Sequence, residues 1–247
     1  MKQLFLLVCL FCFSCKKDNI KPGNDPASGN GQKYVQGKVT DAKGMPIAEA
    51  RIIIDNTVFY NSGLTGTTDA TGNYKIAIEQ GSWRVYAEID RVYHGKVFKK
   101  LSMHPDRENA FAGTEGATVN FQWKLQGEKP APLVGHYGGT IYLYPDSESD
   151  MRDSENIEFT FTPQGNLIDG SPGKVIVRKG GQPQTNSYSQ VQDIPIGIYK
   201  VSAKHLPSGK TLQLRRPYEG DYATQIMVEF EPEYTFCNEC FTLQFKG

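Results

Sequence analysis

The sequence predicts an all-β chain built as two tandem antiparallel β-sandwich-type domains. Three observations carry this. The 25 glycines and 14 prolines are scattered among short apolar runs, a distribution that interrupts helices and punctuates strands. Apolar residues recur at every second position, the period of a strand with one buried face. A proline-bearing stretch, 127–132, divides two such blocks of alternating sequence. With 38% hydrophobic residues in 247, the chain can bury a core, and 27 basic against 27 acidic side chains leave no net field to attract nucleic acid. Nucleic acid is therefore not an expected partner.

The N-terminus reads as an address. Leu4 to Phe13 form an apolar run behind Lys2, with the make-up of a secretory signal peptide and too short to span a bilayer. The run ends Cys12-Phe13-Ser14-Cys15, a small residue directly before a cysteine, and this resembles the processing site of a bacterial lipoprotein. Phe13 stands where the strictest form of that motif has a small residue. The resemblance implies removal of residues 1–14 and a diacylglycerol on the Cys15 sulfur, hence attachment to the cell membrane. Lys16-Lys17-Asp18 is similar to the looser lipoprotein signals of the Bacteroidota, which implies an outer-membrane lipoprotein on the periplasmic or surface face. An ordinary signal peptide cut elsewhere is the other reading. Asn19 to Gln32 is rich in Gly, Pro, Asn and Ser, so residues 15–33 are expected to be a flexible tether, reaching on the order of 20 Å.

The first module, 34–126, opens with Tyr34 to Asp41, a turn through Gly44 and Pro46, and a strand carrying Ile52-Ile53-Ile54. A second turn, Asp69-Ala70-Thr71-Gly72, leads into Asn73 to Ile78. From Ser82 to Ile89, Trp83, Val85, Ala87 and Ile89 share one side, and from Val119 to Leu125, Val119, Phe121, Trp123 and Leu125 do the same. Trp83 and Trp123 are thus assigned to the core. The residues Val39-Thr40-Asp41, Gly44, Pro46-Ile47, Ala50, Thr68-Asp69, Gly72, Tyr74 and Gly81-Ser82-Trp83 resemble the carboxypeptidase-regulatory-like domain, a transthyretin-like seven-stranded sandwich. That resemblance implies a module without catalytic residues that serves as a folding aid, spacer or interaction surface.

Residues 127–132 form a short stiff linker, because prolines fix φ and remove donors. The second module, 133–247, is expected to be another antiparallel sandwich or an open barrel. Its predicted strands are Gly139 to Tyr144, Ile157 to Pro163, Lys174 to Arg178, Gly197 to His205, Thr211 to Arg215, Gln225 to Glu231 and Phe241 to Phe245. Asp193 to Val201 faintly echoes Glu79 to Val85, each with a Gly-x-aromatic entry into a strand.

Recognisable catalytic patterns are absent: there is no Gly-x-Ser-x-Gly, no phosphate-cradling loop and no His-Glu-x-x-His. No catalytic residue and no cofactor is expected. His94 and His104, with Asp106 and Glu108, are weighed as a metal loop against ordinary solvated side chains. Cys237-Asn238-Glu239-Cys240 reads as a small disulfide, because exported thiols oxidise. Reduced thiols, a redox pair, or a zinc site shared with His205, His136 or another chain are the alternatives. Asp146, Glu148 and Asp150 place carboxylates at alternate positions, a weak candidate calcium loop, with Met151 where a calcium loop needs glycine. The candidate ligand face is Tyr142, Tyr144, Tyr218, Tyr222 and Arg215, with Tyr86, Tyr93 and Tyr137 as further exposed aromatics. Tyr142 and Tyr144 alternate with Ile141 and Leu143, so one pair must face away from the core.

Together these readings give a non-catalytic, lipid-anchored envelope protein acting as a binding or accessory module for a glycan or an outer-membrane protein. A structural accessory subunit of an outer-membrane uptake complex is the alternative, and a metal-dependent hydrolase a third.

Overall fold

A computed structural model describes residues 31–234 and 236–247. The signal peptide, Cys15 and nearly all of the tether expected at 15–33 lie outside the described residues. Among the described residues the structure is all β, apart from one short 3-10 turn, Ser154–Asn156. Residues 32–247 form one compact unit that holds every described strand and its own buried core.

The first half contains β1 (Lys33–Thr40), β2 (Arg51–Asn56), β3 (Gly63–Thr67), β4 (Asn73–Ile78), β5 (Ser82–Tyr93) and β6 (Lys96–Ser102). Four two-residue strands complete it: β7 (His104–Pro105), β8 (Phe111–Ala112), β9 (Ala117–Thr118) and β10 (Phe121–Gln122). One sheet runs β4-β1-β10-β7, with β9 also on β1, and the other β3-β2-β5-β6, with β8 on β5. Their inward residues, among them Val35, Val39, Ile52, Ile54, Val85 and Phe121, are buried. The two predicted turns share one chemistry. Asp41 Oδ1 accepts from the N–H of Lys43 and Met45, Asp69 Oδ1 accepts from the N–H of Thr71 and Asn73, and Gly44 and Gly72 take the positive φ that each turn requires.

The second half contains β11 (Gly139–Pro145), β12 (Ile157–Pro163), β13 (Ile176–Lys179), β14 (Gln190–Ile194) and β15 (Ile198–His205). It ends with β16 (Gln213–Arg216), β17 (Glu219–Ala223), β18 (Ile226–Glu229), β19 (Glu231–Tyr234) and β20 (Cys237–Lys246). One sheet runs β14-β11-β20-β16-β17, with β19 also on β20, and the other β13-β12-β15-β18. Ile157, Phe159 and Phe161 fall inward together with Tyr199, Val201 and Leu243. The echoed segments both lead into the third strand of a four-strand path, β5 in β3-β2-β5-β6 and β15 in β13-β12-β15-β18.

Several expectations are corrected. The sheets are not purely antiparallel: β1 pairs in parallel with β9 and β10, and β11 pairs in parallel with β20. Val119 to Leu125 keeps its buried alternation, but only Phe121–Gln122 forms a strand, because Val119 and Trp123 donate singly to Gln36 and Thr40 of β1. Residues 96–102 form β6 instead of a loop, paired with β5. Gln225 to Glu231 divides into β18 and β19, which join different sheets. Strands β14 and β17 have no counterpart in the sequence reading, since their apolar residues are too sparse to show a period.

Asp193 clasps the linker between its first residue and Gly138, six residues beyond its last. Asp193, at φ 62°, accepts from the Gly127 N–H at 2.9 Å and the Gly138 N–H at 3.3 Å, and its carbonyl accepts from Gln126 Nε2 at 2.9 Å. Further bonds cross between the halves: Tyr93 Oη to the Asn166 carbonyl at 2.7 Å, and Lys96 Nζ to Glu231 at 3.1 Å.

Candidate functional site

The site begins with the parallel pairing of β11 and β20. Register sets Tyr142 beside Thr242 and Tyr144 beside Gln244, while β16 adds Arg215 on the far side of Gln244. Ile141, Leu143, Leu243, Phe245 and Leu214 are fully buried, so the interleaved Tyr142, Tyr144, Thr242, Gln244 and Arg215 occupy the opposite face. Tyr144, Gln244 and Arg215 thus form a row across three adjacent strands.

One end of the row is polar and tightly connected. Arg215 Nε donates to Gln244 Oε1 at 2.9 Å, and its guanidinium lies 4.3 Å from the centroid of the Tyr222 ring. Lys246 Nζ lies 4.2 Å from the same centroid. The Tyr222 hydroxyl donates to Asp146 Oδ2, which also faces Arg215 Nη2 at 3.7 Å, while Asp146 Oδ1 accepts from the Glu148 N–H at 2.9 Å. The Tyr222 hydroxyl bond, the Glu148 N–H and the two cations hold the Asp146 carboxyl below the usual carboxylate range, against an opposing effect of desolvation. Burial, and then the bond to Asp146, push Tyr222 up to about 12.

The other end is aromatic. The Tyr142 ring meets Phe236 edge-on at 5.2 Å, and Phe236 meets Tyr234 at 6.1 Å. Tyr144 is 41% exposed and Phe236 55%, so the strip offers ring surface to solvent. Burial and the neighbouring phenols of Tyr142 and Tyr234 raise the Tyr144 phenol. An open aromatic strip beside a fixed set of donors and acceptors can stack an apolar ring face and hydrogen-bond its rim.

Four of the five residues assigned to the ligand face, Tyr142, Tyr144, Tyr222 and Arg215, therefore lie on one sheet face. Tyr218 stands at the tip of the β16–β17 hairpin, 92% exposed. Sequence reading missed Tyr234, Phe236, Gln244 and Lys246. Tyr93 and Tyr137 are corrected as exposed aromatics: both are buried, the first bonded to Asn166 and the second to His104 Nδ1 at 3.0 Å.

The calcium-loop expectation for Asp146, Glu148 and Asp150 is also corrected. Asp146 is occupied by Tyr222 and Arg215, and Glu148 contributes its backbone N–H, leaving its carboxylate exposed with that of Asp150. Among the described residues no group of three or more His, Cys, Asp or Glu side chains gathers to hold a metal ion. The His94–His104 loop is dispersed in the same way. His94 sits at the β5–β6 hairpin tip against Tyr93, and Asp106 is bonded to Asn120. Cys237 and Cys240 are joined as a disulfide, with Cα atoms 6.0 Å apart. This leaves no free thiol there for zinc.

One constellation has no counterpart in the sequence reading. His205 Nδ1 lies 2.8 Å from Ser208 Oγ, and its Nε2 lies 3.0 Å from Asp153 Oδ2. The order suggests a nucleophile, base and acid, but the surrounding bonds describe a brace. Asp153 also accepts from Asn156 Nδ2, the Asn156 carbonyl accepts from the Leu206 N–H, and Ser208 Oγ accepts from the Lys210 N–H. The network closes the 206–210 turn onto the 3-10 turn.

No family model matches the chain, and no curated protein matches it. Among solved structures, the Bacillus anthracis TIE protein aligns at 16% identity over 87% of this chain and 34% of its own, with a TM-score of 0.29. A leucine-rich repeat protein from Bacteroides thetaiotaomicron aligns at 15% identity over 86% and 25%, with a TM-score of 0.27. BcpA, the major pilin subunit of Bacillus cereus, aligns at 9% identity over 87% and 99%, with a TM-score of 0.24. The chain spans about a third or less of the first two.

Proposed function

We propose that this is a non-catalytic, lipid-anchored envelope protein that binds a glycan on the outer face of the β14-β11-β20-β16-β17 sheet. The observation that carries the reading is the placement of Tyr142, Tyr144 and Phe236 beside the Tyr222–Asp146–Arg215–Gln244 network on one sheet face. Sugar rings present C–H faces that pack on aromatic rings, and hydroxyls that can bond to the part-exposed Arg215 guanidinium and Lys246 ammonium, which the buried Asp146 and Gln244 hold in place. Because the polar groups are already bonded to one another, little ordering remains to oppose association. The anchor at Cys15 would hold this face near the membrane, with the first half setting its orientation.

A glycan-array screen of residues 32–247, repeated with Tyr142→Ala and Tyr144→Ala, tests the proposal. Binding that disappears in both variants supports it. A blank array from a folded fragment would overturn it and turn attention to an outer-membrane protein partner, sought by pull-down.

A further inference from the structure

The β2–β3 connection displays Val58, Phe59 and Tyr60 at 69%, 65% and 100% exposure. Three consecutive apolar side chains are here set out in solvent by a well-braced loop. The buried Asn56 side chain accepts through Oδ1 from the N–H of Val58 at 2.9 Å and of Phe59 at 3.0 Å. Asn56 N–H donates to the Ser62 carbonyl, Thr57 N–H donates to the Ser82 carbonyl, and Thr57 Oγ1 donates to Ser82 Oγ at 2.6 Å. With the N–H groups of Val58 and Phe59 satisfied locally, these two side chains can meet an apolar phase without carrying their own unpaired donors into it.

The position of the loop identifies that phase. Lys33, where β1 begins, pairs with Ile78, and Gln32 Nε2 donates to the Ile78 carbonyl at 3.0 Å. The short turn from Ile78 to Ser82 leads from there to Thr57. The point where the chain enters the fold and the apolar loop therefore lie at the same end of the first sandwich. Asp55 and Arg84 pair across β2 and β5 beside the loop, so it presents no net charge from that pair. Phenylalanine and tyrosine flanked by Asn56, Thr57, Asn61 and Ser62 match the layer between lipid headgroups and acyl chains.

We infer that the Val58–Tyr60 loop inserts into the interfacial layer of a lipid bilayer when the chain is held at a membrane by its N-terminal side. The inference rests on the anchored reading only for how the surface is reached. A diacylglycerol on Cys15 would already supply two acyl chains, so the loop would add orientation, fixing which end of the protein faces the lipid.

The test docks residues 32–247 through a hexahistidine tag placed before Gln32 onto phosphatidylcholine vesicles containing a nickel-chelating lipid. Because the tag replaces the anchor, failure of this inference and failure of lipidation at Cys15 are separable. A Phe59→Trp variant reports the loop, while Trp83 and Trp123 are buried and form a constant background. The expected result is a blue shift of Phe59→Trp emission on docking and its quenching by brominated acyl chains, unchanged by high salt. Val92→Trp, at the opposite end of β5 and on a residue that is 70% exposed, should show neither effect. Docked protein whose Phe59→Trp emission matches that in solution, or equal quenching at both positions, overturns the inference.

Discussion

The guanidinium of Arg215 lies 4.3 Å from the ring centroid of Tyr222, whose hydroxyl is given to Asp146. The cation polarises the phenol from its face while the carboxylate accepts a hydrogen bond from its hydroxyl. The ring thus joins residues from β16, β17 and the end of β11 into one rigid corner. The bond to Asp146 favours the neutral phenol, and so does burial.

Alkaline stability should reveal this corner. Burial and Asp146 raise Tyr222 from 10.0 to about 12, and burial and Glu108 raise Tyr137 to about 12. The folded state then holds these protons more tightly than the unfolded chain. Their contribution is fully present below pH 10 and is lost as pH rises from 10 toward 12. Tyr222→Phe removes one such proton. Its urea-unfolding midpoint should therefore fall less than that of the wild type between about pH 9 and about pH 11. Parallel declines in the two proteins would remove Tyr222 from this account.

Adjacent residues on β11 should separate ligand binding from stability. Tyr144 faces solvent and Leu143 faces the core. Tyr144→Ala should cost under about 1.5 kcal/mol of stability but at least about tenfold in glycan affinity, by calorimetry on a ligand found in the array. Leu143→Ala should cost about 2–5 kcal/mol through the cavity it leaves. If Tyr144→Ala left affinity unchanged, the binding face would have to lie elsewhere.

The inward faces were legible in the sequence wherever alternation was unbroken. Ile157, Phe159 and Phe161 are fully buried, as their period required, and Trp83 and Trp123 pack in the core. The candidate site was only half legible. In β11 both alternating sets, Ile141 with Leu143 and Tyr142 with Tyr144, are apolar enough to be buried, so the period alone could not choose between them. Its polar partners were hidden for another reason: Gln244 meets Asp146 across 98 residues of sequence, through a parallel pairing that no local pattern announces. Cys240, Thr242 and Gln244 lie on the outer face and are nevertheless buried. Long tyrosine, arginine and lysine side chains from neighbouring strands cover that face in place of another layer.

The disulfide links two residues of β20, Cys237 and Cys240, directly after Phe236. Its sequence separation is 3, and the chain-entropy model gives about 2 kcal/mol for so small a loop. The Cys237→Ala/Cys240→Ala variant should lose about that much stability in urea titrations. It should also weaken glycan binding without touching Tyr142 or Tyr144, because Phe236, which meets Tyr142 edge-on, directly precedes the bridged Cys237. Full affinity in the reduced or double-alanine protein would show that Phe236 takes no part in recognition.

Asp193 should decide how firmly the two halves are joined. Its carboxylate accepts from Gly127 and Gly138, on either side of the proline-bearing stretch, and its backbone sits at φ 62°, which Asp and Asn tolerate better than Ala. Asp193→Ala loses both bonds and adds backbone strain, an expected cost of about 2 kcal/mol. Asp193→Asn keeps an acceptor oxygen and the favoured backbone, so it should recover much of that loss. A glutamate-specific endoprotease gives the local readout at the Glu128–Lys129 bond, where the Lys129 N–H donates to the Gly135 carbonyl at 2.9 Å. Cleavage there should accelerate in Asp193→Ala while both sandwiches stay folded by circular dichroism. Equal cleavage rates would mean that the bonds from Tyr93 and Lys96 hold the halves together without Asp193.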